Sequence, residues 1–472
     1  MLNSHNYKSD MNGRHKYKLN ILVFPFYFSL LRSILWITFI TILVSCNTTQ
    51  PPPGNNAATE LTVEDVSSTE AWLNVKTQNV TLPAELKLFR ADSVTRIINL
   101  GDTDTLLYDN ELQPNKTYNY KVIIQPSNHT AIQSKTVTAT TMDTTSHNFS
   151  WQTYTFGGVH GSSVLNDVAI INENDIWAVG EIHTAETDQF DSNGVWVQPY
   201  NAVHWDGNIW ELKRIIVNFR GNSTFIPLEG IFAFSSNDIW VVGSLPIHGD
   251  GNNWRIYDVR EITNSNLSLS KAWGTSSNNM YFVGRGGSIA HYNGSGWRKI
   301  ESPTDLNIND IWGSYNNKTG TWEILCVASN IFSSLDRAIL NIDTNTQKVT
   351  QLPTQPINGT LSSVWFKPNS KYFVTGGGGN FEKYNLSEIN WKHSIVSILR
   401  YSILKIRGNE LNDIFGAGGG GEVLHFNGKT TKSYYNIAKL VNGNYYSIAV
   451  KNNLVIAVGE DNPTAVILIG NR

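Results

Sequence analysis

The chain has 472 residues, which is more than one ordinary hydrophobic core accommodates and indicates at least two domains. Charged residues make up only 16% of it, the formal net charge is −3, and glycine and aromatic residues are plentiful. This balance is typical of all-β proteins with many turns, and the missing basic excess argues against a nucleic-acid partner. With two cysteines, Cys46 and Cys326, the chain has no disulfide framework.

Residues 1–45 have the pattern of an export signal, with a basic segment followed by an apolar stretch that ends at Val44. The alternative is an uncleaved membrane anchor beginning near Leu19, which Arg32 would interrupt. The stretch Leu43-Val-Ser-Cys46 resembles the lipobox of bacterial lipoproteins. The resemblance implies cleavage after Ser45, acylation of Cys46, and a lipid anchor in the bacterial cell envelope. The membrane would then be one partner of the protein.

Residues 46–57 are polar and proline-rich, and we interpret them as a tether. Residues 58–143 follow as short alternating strands. Within them, Trp72 either faces away from Ala71 and Leu73 or is itself the core residue. Leu112, Pro114 and Tyr118 have the spacing of the tyrosine corner of fibronectin type III domains, which this segment resembles. The resemblance implies a β-sandwich in which the Tyr118 hydroxyl bonds back to the chain, and we expect this domain to act as a spacer.

Residues 148–472 contain seven copies of an apolar strand that ends in small residues. They are Asp175–Gly180, Asp238–Gly243, Asn279–Gly284, Trp322–Ala328, Lys371–Gly376, Asp413–Gly418 and Leu454–Gly459. Their spacing of about 40 residues is the period of a four-stranded propeller blade. Each copy is preceded by a short opening strand, at Val168, Ile231, Ala272, Ile311, Val364, Ile406 and Ile448.

A second landmark follows three of these strands: His204-Trp-Asp-Gly, His291-Tyr-Asn-Gly and His425-Phe-Asn-Gly. The Asp-Gly or Asn-Gly pair predicts a type I′ hairpin between the third and fourth strands of a blade. The unit resembles the Asp-box or BNR repeat of exported bacterial propellers. The last blade lacks a fourth strand, for which we expect the segment 151–156 to substitute. The predicted fold is therefore all-β, a seven-bladed β-propeller preceded by a fibronectin type III-like β-sandwich.

Histidines that recur at one repeat position, His204, His291 and His425, are expected to be structural, and Cys326 to be a buried small residue. Two loops break the repeat and are the expected ligand-binding sites, because insertions on propellers concentrate binding function. The first loop, 181–201, offers Glu186, Asp188, Asp191 and Trp196, and the second, 247–254, offers Asp250 and Trp254. We expect no catalytic residue, metal site or cofactor.

These observations favour a non-catalytic, envelope-anchored scaffold that binds a protein or a glycan. One alternative is a carbohydrate-active propeller, either glycan-binding or of the glycosidase or lyase class, which would need two acidic groups facing each other across the central funnel. A further alternative is an assembly factor for a membrane complex, as in some BNR-type propellers.

Overall fold

The computed structural model describes residues 56–127, 129–330, 336–394 and 400–472. The predicted export signal, Cys46 and nearly all of the tether lie outside these ranges. Within the described residues, no helix has the length and hydrophobicity needed to cross a membrane. Residues 55–472 form one compact unit.

The N-terminal part of this unit consists of two β-sheets that share one core. Their strands are β1 (Ala58–Val66), β2 (Ala71–Gln78), β3 (Ala84–Arg90), β4 (Ser93–Leu100), β5 (Asp104–Asp109), β6 (Thr117–Gln125), β7 (Ile132–Gln133) and β8 (Val137–Thr140). One sheet has the order β1-β2-β5 and the other β4-β3-β6-β7, with β8 also pairing with β6. Side chains from both sheets, including Leu73, Val75, Leu86 and Val122, pack into one buried cluster.

The alternation along β2 settles the two alternatives for Trp72. Ala71, Leu73 and Val75 face the sandwich core, so Trp72 points to the opposite side, where it is fully buried. In the turn before β6, the backbone N–H of Gln113 donates a hydrogen bond of 2.9 Å to the Tyr118 hydroxyl. The tyrosine therefore bonds back to the chain five residues upstream.

In the described residues after the sandwich, seven four-stranded antiparallel sheets account for most of the strands. The first three contain β10 (Val164–Asn172), β11 (Asp175–Ile182), β12 (Tyr200–Trp205) and β13 (Trp210–Lys213); β16 (Gly230–Ser235), β17 (Asp238–Gly243), β18 (Leu245–Gly249) and β19 (Trp254–Ile256); and β20 (Ser268–Ser276), β21 (Asn279–Arg285), β22 (Ile289–Tyr292) and β23 (Trp297–Lys299). Between them lie the hairpin β14 (Ile216–Phe219) with β15 (Asn222–Phe225) and the short helix α1 (Val259–Ile262).

The next three sheets contain β24 (Ile308–Asn316), β25 (Thr321–Ser329), β26 (Arg337–Asp343) and β27 (Val349–Leu352); β28 (Ser363–Lys367), β29 (Lys371–Gly376), β30 (Gly379–Lys383) and β31 (Lys392–His393); and β32 (Ile403–Glu410), β33 (Asp413–Gly418), β34 (Val423–Phe426) and β35 (Thr431–Ser433). The helix α2 (Tyr435–Ala438) follows. The last sheet contains β36 (Gly443–Lys451), β37 (Leu454–Asp461), β38 (Thr464–Asn471) and β9 (Ser150–Phe156).

The sheets form a closed ring. The first strand of each sheet is its inner strand. It contacts the first strand of the next sheet, and β36 of the last sheet contacts β10 of the first. The ring is joined by β9, which pairs with β38 in antiparallel register so that Trp151 lies opposite Gly470. The predicted all-β propeller fold is therefore confirmed, and each of the seven repeated strands is the second strand of its sheet.

The glycine that ends several of the repeated strands has a packing explanation. A Cβ atom on Gly180, Gly284 or Gly459 would lie within about 2 Å of a backbone carbonyl at the start of the neighbouring inner strand, so only glycine fits there. The repeated histidines lie on the third strand of their sheets and stack on an aromatic ring of the second strand, as in the pair Trp177 and His204, whose centroids are 4.3 Å apart.

Each of these histidines also bonds the residue that opens the second strand. The His204 Nε2 atom lies 2.9 Å from Asp175 Oδ1, and His425 Nε2 lies 3.0 Å from Asp413 Oδ1. His291 makes the corresponding bond to Asn279. Burial lowers the pKa of His425 and of His291, which favours neutral rings. The structural interpretation of the repeated histidines is confirmed by these contacts.

The type I′ turn prediction is wrong. Trp205 pairs with Trp210, so the loop has four residues rather than two, and of its Asp-Gly pair only Gly207 has a positive φ. The Asp206 Oδ1 atom instead accepts hydrogen bonds of 2.8 Å from the N–H groups of Asn208 and Ile209. The aspartate is therefore needed for its side-chain acceptor and not for left-handed backbone.

The sandwich packs directly against the propeller. Trp72 joins a buried cluster with Trp365 and Phe373, and Tyr108 stacks on Tyr384 at 4.4 Å between centroids. A buried ion pair of 2.7 Å connects Glu70 with Lys371. Apolar and charged contacts therefore fix the sandwich to the ring, and its role as a spacer stays a prediction.

Candidate functional site

The propeller has two unlike ends. Because neighbouring strands are antiparallel, the turns between first and second strands and between third and fourth strands lie at one end. The sandwich occupies part of this end, since residues 64–74 contact the turns at 316–319 and 367–371. We call it the sandwich face. The opposite end carries the connections between sheets and the connections from second to third strands, and we call it the loop face.

The longest second-to-third-strand connection of the loop face, residues 183–199, forms a finger. Its two arms are held by backbone bonds between Asp188 and Val197 and between Val197 and Gln189, each of 2.9 Å. At the tip, Phe190 and Trp196 form a β-bridge, and their rings meet edge to face at 5.2 Å. Phe190 is 67% exposed and Trp196 is 43% exposed. The finger thus presents an aromatic pair to solvent.

The carboxylates predicted to bind a ligand are used to build this finger. Asp191 Oδ1 accepts from the N–H groups of Asn193 and Val195 at 2.8 Å and so shapes the tip. Asp188 accepts from Thr187 and lies 2.7 Å from His183 Nδ1 at the base. Burial raises the pKa of Asp188, but these hydrogen bonds outweigh it and lower the pKa overall.

The third predicted carboxylate, Glu186, accepts a hydrogen bond from the Tyr200 hydroxyl. The ring of Tyr200 is covered by the Arg214 guanidinium at 3.8 Å, and Arg214 bonds the backbone carbonyl of Gln198. These contacts connect the finger to the first sheet. Of the finger residues predicted to bind a ligand, Trp196 presents an exposed ring at the tip. Glu186 and Asp191 are exposed as well but also hold the finger together.

Asp250 and Trp254 do not belong to a loop that breaks the repeat. They lie in the turn between β18 and β19, on the sandwich face, so the structure does not bring them together with the finger. Asp250 accepts from the N–H groups of Asn252 and Asn253, as Asp206 does in its own turn. These backbone bonds lower the pKa of Asp250 to about 2. Trp254 packs against Trp177 of the first sheet.

The loop face carries a second exposed apolar group. It consists of Ile437 and Val441, between β35 and β36, together with Tyr401 before β32. Tyr401 lies 5.6 Å from the Tyr435 ring, centroid to centroid, and the Arg400 guanidinium lies over Tyr435. Two separate parts of the loop face therefore expose large apolar side chains.

The centre of the ring holds a charged layer. The corresponding positions near the start of the inner strands are, in chain order, Asp167, Gly230, Lys271, Asp310, Ser363, Lys405 and Ser447, and four of them carry a charge. Asp310 accepts from Lys405 at 2.6 Å, from Arg407 at 2.8 and 2.9 Å, and from Ser363 at 2.5 Å. Across the channel, Asp167 accepts from Ser447 at 2.6 Å and from Lys271 at 3.2 Å.

Both channel carboxylates are ionised. Burial would raise the pKa of Asp310, but Arg407 and Lys405 lower it well below its usual range. For Asp167, burial is likewise outweighed, chiefly by Lys271. A glycosidase needs one carboxyl group with a raised pKa as its general acid, and neither carboxyl group of this channel meets that need. Among the described residues, no group of three or more metal-ligating side chains is present.

Two features of the site were missed from the sequence. Phe190 lies inside the loop that was singled out, and its alternation with Trp196 across a hairpin was the available signal. The charged layer occupies the residue directly before each opening landmark, so aligning the seven openings would have shown it. Neither feature belongs to the motif that is repeated from blade to blade.

Comparisons with known proteins identify the fold. No protein-family model matches the chain, and no curated protein matches it either. Among solved structures, a structure of YCF48 bound to D1 peptide is similar at 16% identity with a TM-score of 0.50, covering 70% of this chain and 99% of that one. YCF48 from Cyanidioschyzon merolae is 17% identical, with a TM-score of 0.46 over 68% and 98% of the two chains. The virginiamycin B lyase of Staphylococcus aureus is 9% identical, with a TM-score of 0.47 over 68% and 99%. At these identities the similarity shows a β-propeller fold and carries no information on activity.

Proposed function

We propose that this protein is a non-catalytic scaffold that binds a partner protein through the loop face of its propeller. The observation that carries the proposal is the finger, an insertion beyond the blade repeat whose tip exposes the edge-to-face pair of Phe190 and Trp196. Phe190, Val195 and Trp196 form one group on this face, and Ile437 and Val441 belong to another. Aromatic and aliphatic anchors surrounded by polar loops are typical of protein interfaces.

A protein partner suits this surface better than a glycan does. Within the finger, Asp188 accepts from Thr187 and Asp191 accepts from backbone N–H groups through Oδ1, so part of the acceptor capacity that a sugar would need is already used. The exposed aromatic pair meets edge to face rather than offering one flat ring for stacking. The YCF48 propeller with a bound D1 peptide shares the fold, so a polypeptide ligand is compatible with this architecture, and the assembly-factor hypothesis stays within this proposal.

We also propose that the sandwich is a fibronectin type III-like domain. Its strand order, β1-β2-β5 against β4-β3-β6, and the Tyr118 hydroxyl bond support this assignment. The proposed anchor is the acylated Cys46, which would place the protein at the bacterial envelope. Incorporation of labelled palmitate into the wild-type chain but not into a Cys46→Ala variant tests the anchor separately.

Site-specific crosslinking tests the proposed interface. A photoreactive phenylalanine analogue replaces Val195 on the finger, which is 60% exposed, or Ile389 on the sandwich face, which is 65% exposed. We expect one discrete crosslinked partner protein from the first position only, in cells that express the full chain. The double variant Phe190→Ala, Trp196→Ala should then lose affinity for that purified partner. Equal crosslinking at both positions would refute the loop face as the interface.

A further inference from the structure

The central channel encloses a cavity of about 180 Å³ next to the charged layer. Its walls combine the charged residues of that layer with apolar side chains, among them Ala169, Ile170, Phe232, Ala233 and Val450. These residues keep part of their surface exposed, so the cavity is open to solvent. A cavity of roughly 150 Å³ is large enough for benzene, which sets the scale of a ligand that fits here.

The cavity carries an excess of positive charge. Its ionisable lining residues are three cations, Lys271, Lys405 and Arg407, and two carboxylates, Asp167 and Asp310. Lys271, Arg407 and Lys405 keep 17%, 13% and 6% of their side chains exposed, and the carboxylates Asp167 and Asp310 keep 11% and 1%. The surface that the charged layer presents to the cavity is therefore mainly cationic.

The ammonium group of Lys405 has unused hydrogen-bonding capacity. In the described part of the chain, Asp310 Oδ1 is its one acceptor, so two of its three N–H donors remain for another group. Lys271 differs, because it already donates to Asp167 and to the carbonyl groups of Glu229 and Asn166. Burial, assisted by Arg407, lowers the pKa of Lys405 to about 8, so the group is mostly charged at neutral pH.

We propose that the central channel is a binding site for a small organic carboxylate with an apolar body. One anionic group would offset the single excess cation and accept from Lys405, while the apolar body would contact the wall around Phe232 and Ala233. A neutral ligand would leave the excess charge uncompensated, and a cationic ligand would add to it. This site is independent of the loop face and of the partner proposed there.

Calorimetric titration of the purified protein with four probes tests the proposal. Benzoate is the expected ligand, benzamide its neutral isostere, benzylammonium its cationic counterpart, and inorganic phosphate an anion without an apolar body. We expect benzoate to bind about tenfold or more tightly than each of the others, because a charged hydrogen bond contributes that much. Equal binding of benzoate and benzamide, tighter binding of phosphate, or no binding of benzoate would overturn the proposal.

Two variants locate the binding. Lys405→Met should weaken benzoate binding about tenfold or more, and Ala449→Leu should fill the cavity and abolish it without changing any charge. If Lys405→Met does not fold, Ala449→Leu still decides the question. The double variant Phe190→Ala, Trp196→Ala is the matched control, and it should bind benzoate as the wild type does. Wild-type affinity in Ala449→Leu would place the ligand elsewhere and refute the channel site.

Discussion

Replacing Trp72 by alanine should uncouple the sandwich from the propeller. The Trp72 side chain is fully buried and belongs to a cluster made mostly of propeller residues, among them Trp365 and Phe373. A buried tryptophan removes about 150–250 Å² from water. At about 25 cal/mol per Å², this amounts to about 4–6 kcal/mol. The remaining contacts between the two parts include the buried Glu70–Lys371 pair, the stack of Tyr108 on Tyr384 and partly exposed ion pairs such as Lys318 with Asp104. Only the exposed pairs contribute little, so Trp72 supplies a large part of the contact and not all of it.

Leu73→Ala is the matched control, because Leu73 is the adjacent residue, is equally buried, and faces the core of the sandwich itself. Its loss should cost about 2–5 kcal/mol inside the sandwich and leave the contact with the propeller in place. The two variants therefore remove comparable stability from opposite sides of one strand.

Calorimetry and limited proteolysis distinguish the two outcomes. The wild type should melt in one transition, with the connection at residues 143–149 protected. In Trp72→Ala we expect two transitions and rapid cleavage of that connection. In Leu73→Ala the single transition should move to lower temperature. A single transition with a protected connection in Trp72→Ala would show that Trp72 does not couple the two parts.

Three further predictions concern the buried charges and the repeat. Lys371→Met should cost about 3–5 kcal/mol in urea unfolding at pH 7. In the wild type Lys371 outweighs burial and lowers the pKa of Glu70, whereas in the variant burial alone raises it, so the deficit should already shrink as the pH falls from neutral toward 4.5 and shrink further below 4.5. A deficit independent of pH would contradict this ion pair. Arg407→Met should raise the pKa of Lys405 above about 8 in a lysine NMR titration, because Arg407 opposes its protonation; an unchanged pKa would refute the coupling. Gly459→Val should destabilise the last sheet by about 1–3 kcal/mol in urea unfolding, and wild-type stability would refute the close packing.

The sequence predicted the propeller because its repeat is local. The strand that ends at Gly180 and the histidine that follows it depend on contacts within one sheet or with the next one, so every sheet needs the same residues. The pairing of β9 with β38 was inferable because a ring leaves one strand missing at its end. Such features can be recognised without knowing any long-range contact.

The contact between the sandwich and the propeller could not be predicted in the same way. From the sequence, Trp72 could face either the core of the sandwich or the opposite side of β2. The propeller residues Tyr384 and Phe373, which contact its ring on that opposite side, distinguish the two. Asp250 was misassigned for a different reason. Its turn keeps the repeat spacing from His248 to Trp254, but Gly249 replaces the aromatic residue that marks the other turns.

Two features depart from the repeat and are not required by the architecture of a blade: the charged residues of the channel and the finger. At the channel position, a small polar residue satisfies the inner strand, as Ser363 and Ser447 show in two of the sheets. Asp310, Lys405 and Arg407 instead bring charged groups into a buried position, and burying them costs free energy that a serine would avoid. The finger is likewise not needed by any sheet, and it exposes an aromatic pair to solvent. The finger lies at the end of the propeller opposite the sandwich, so the fixed contacts between the two parts leave the loop face available for binding.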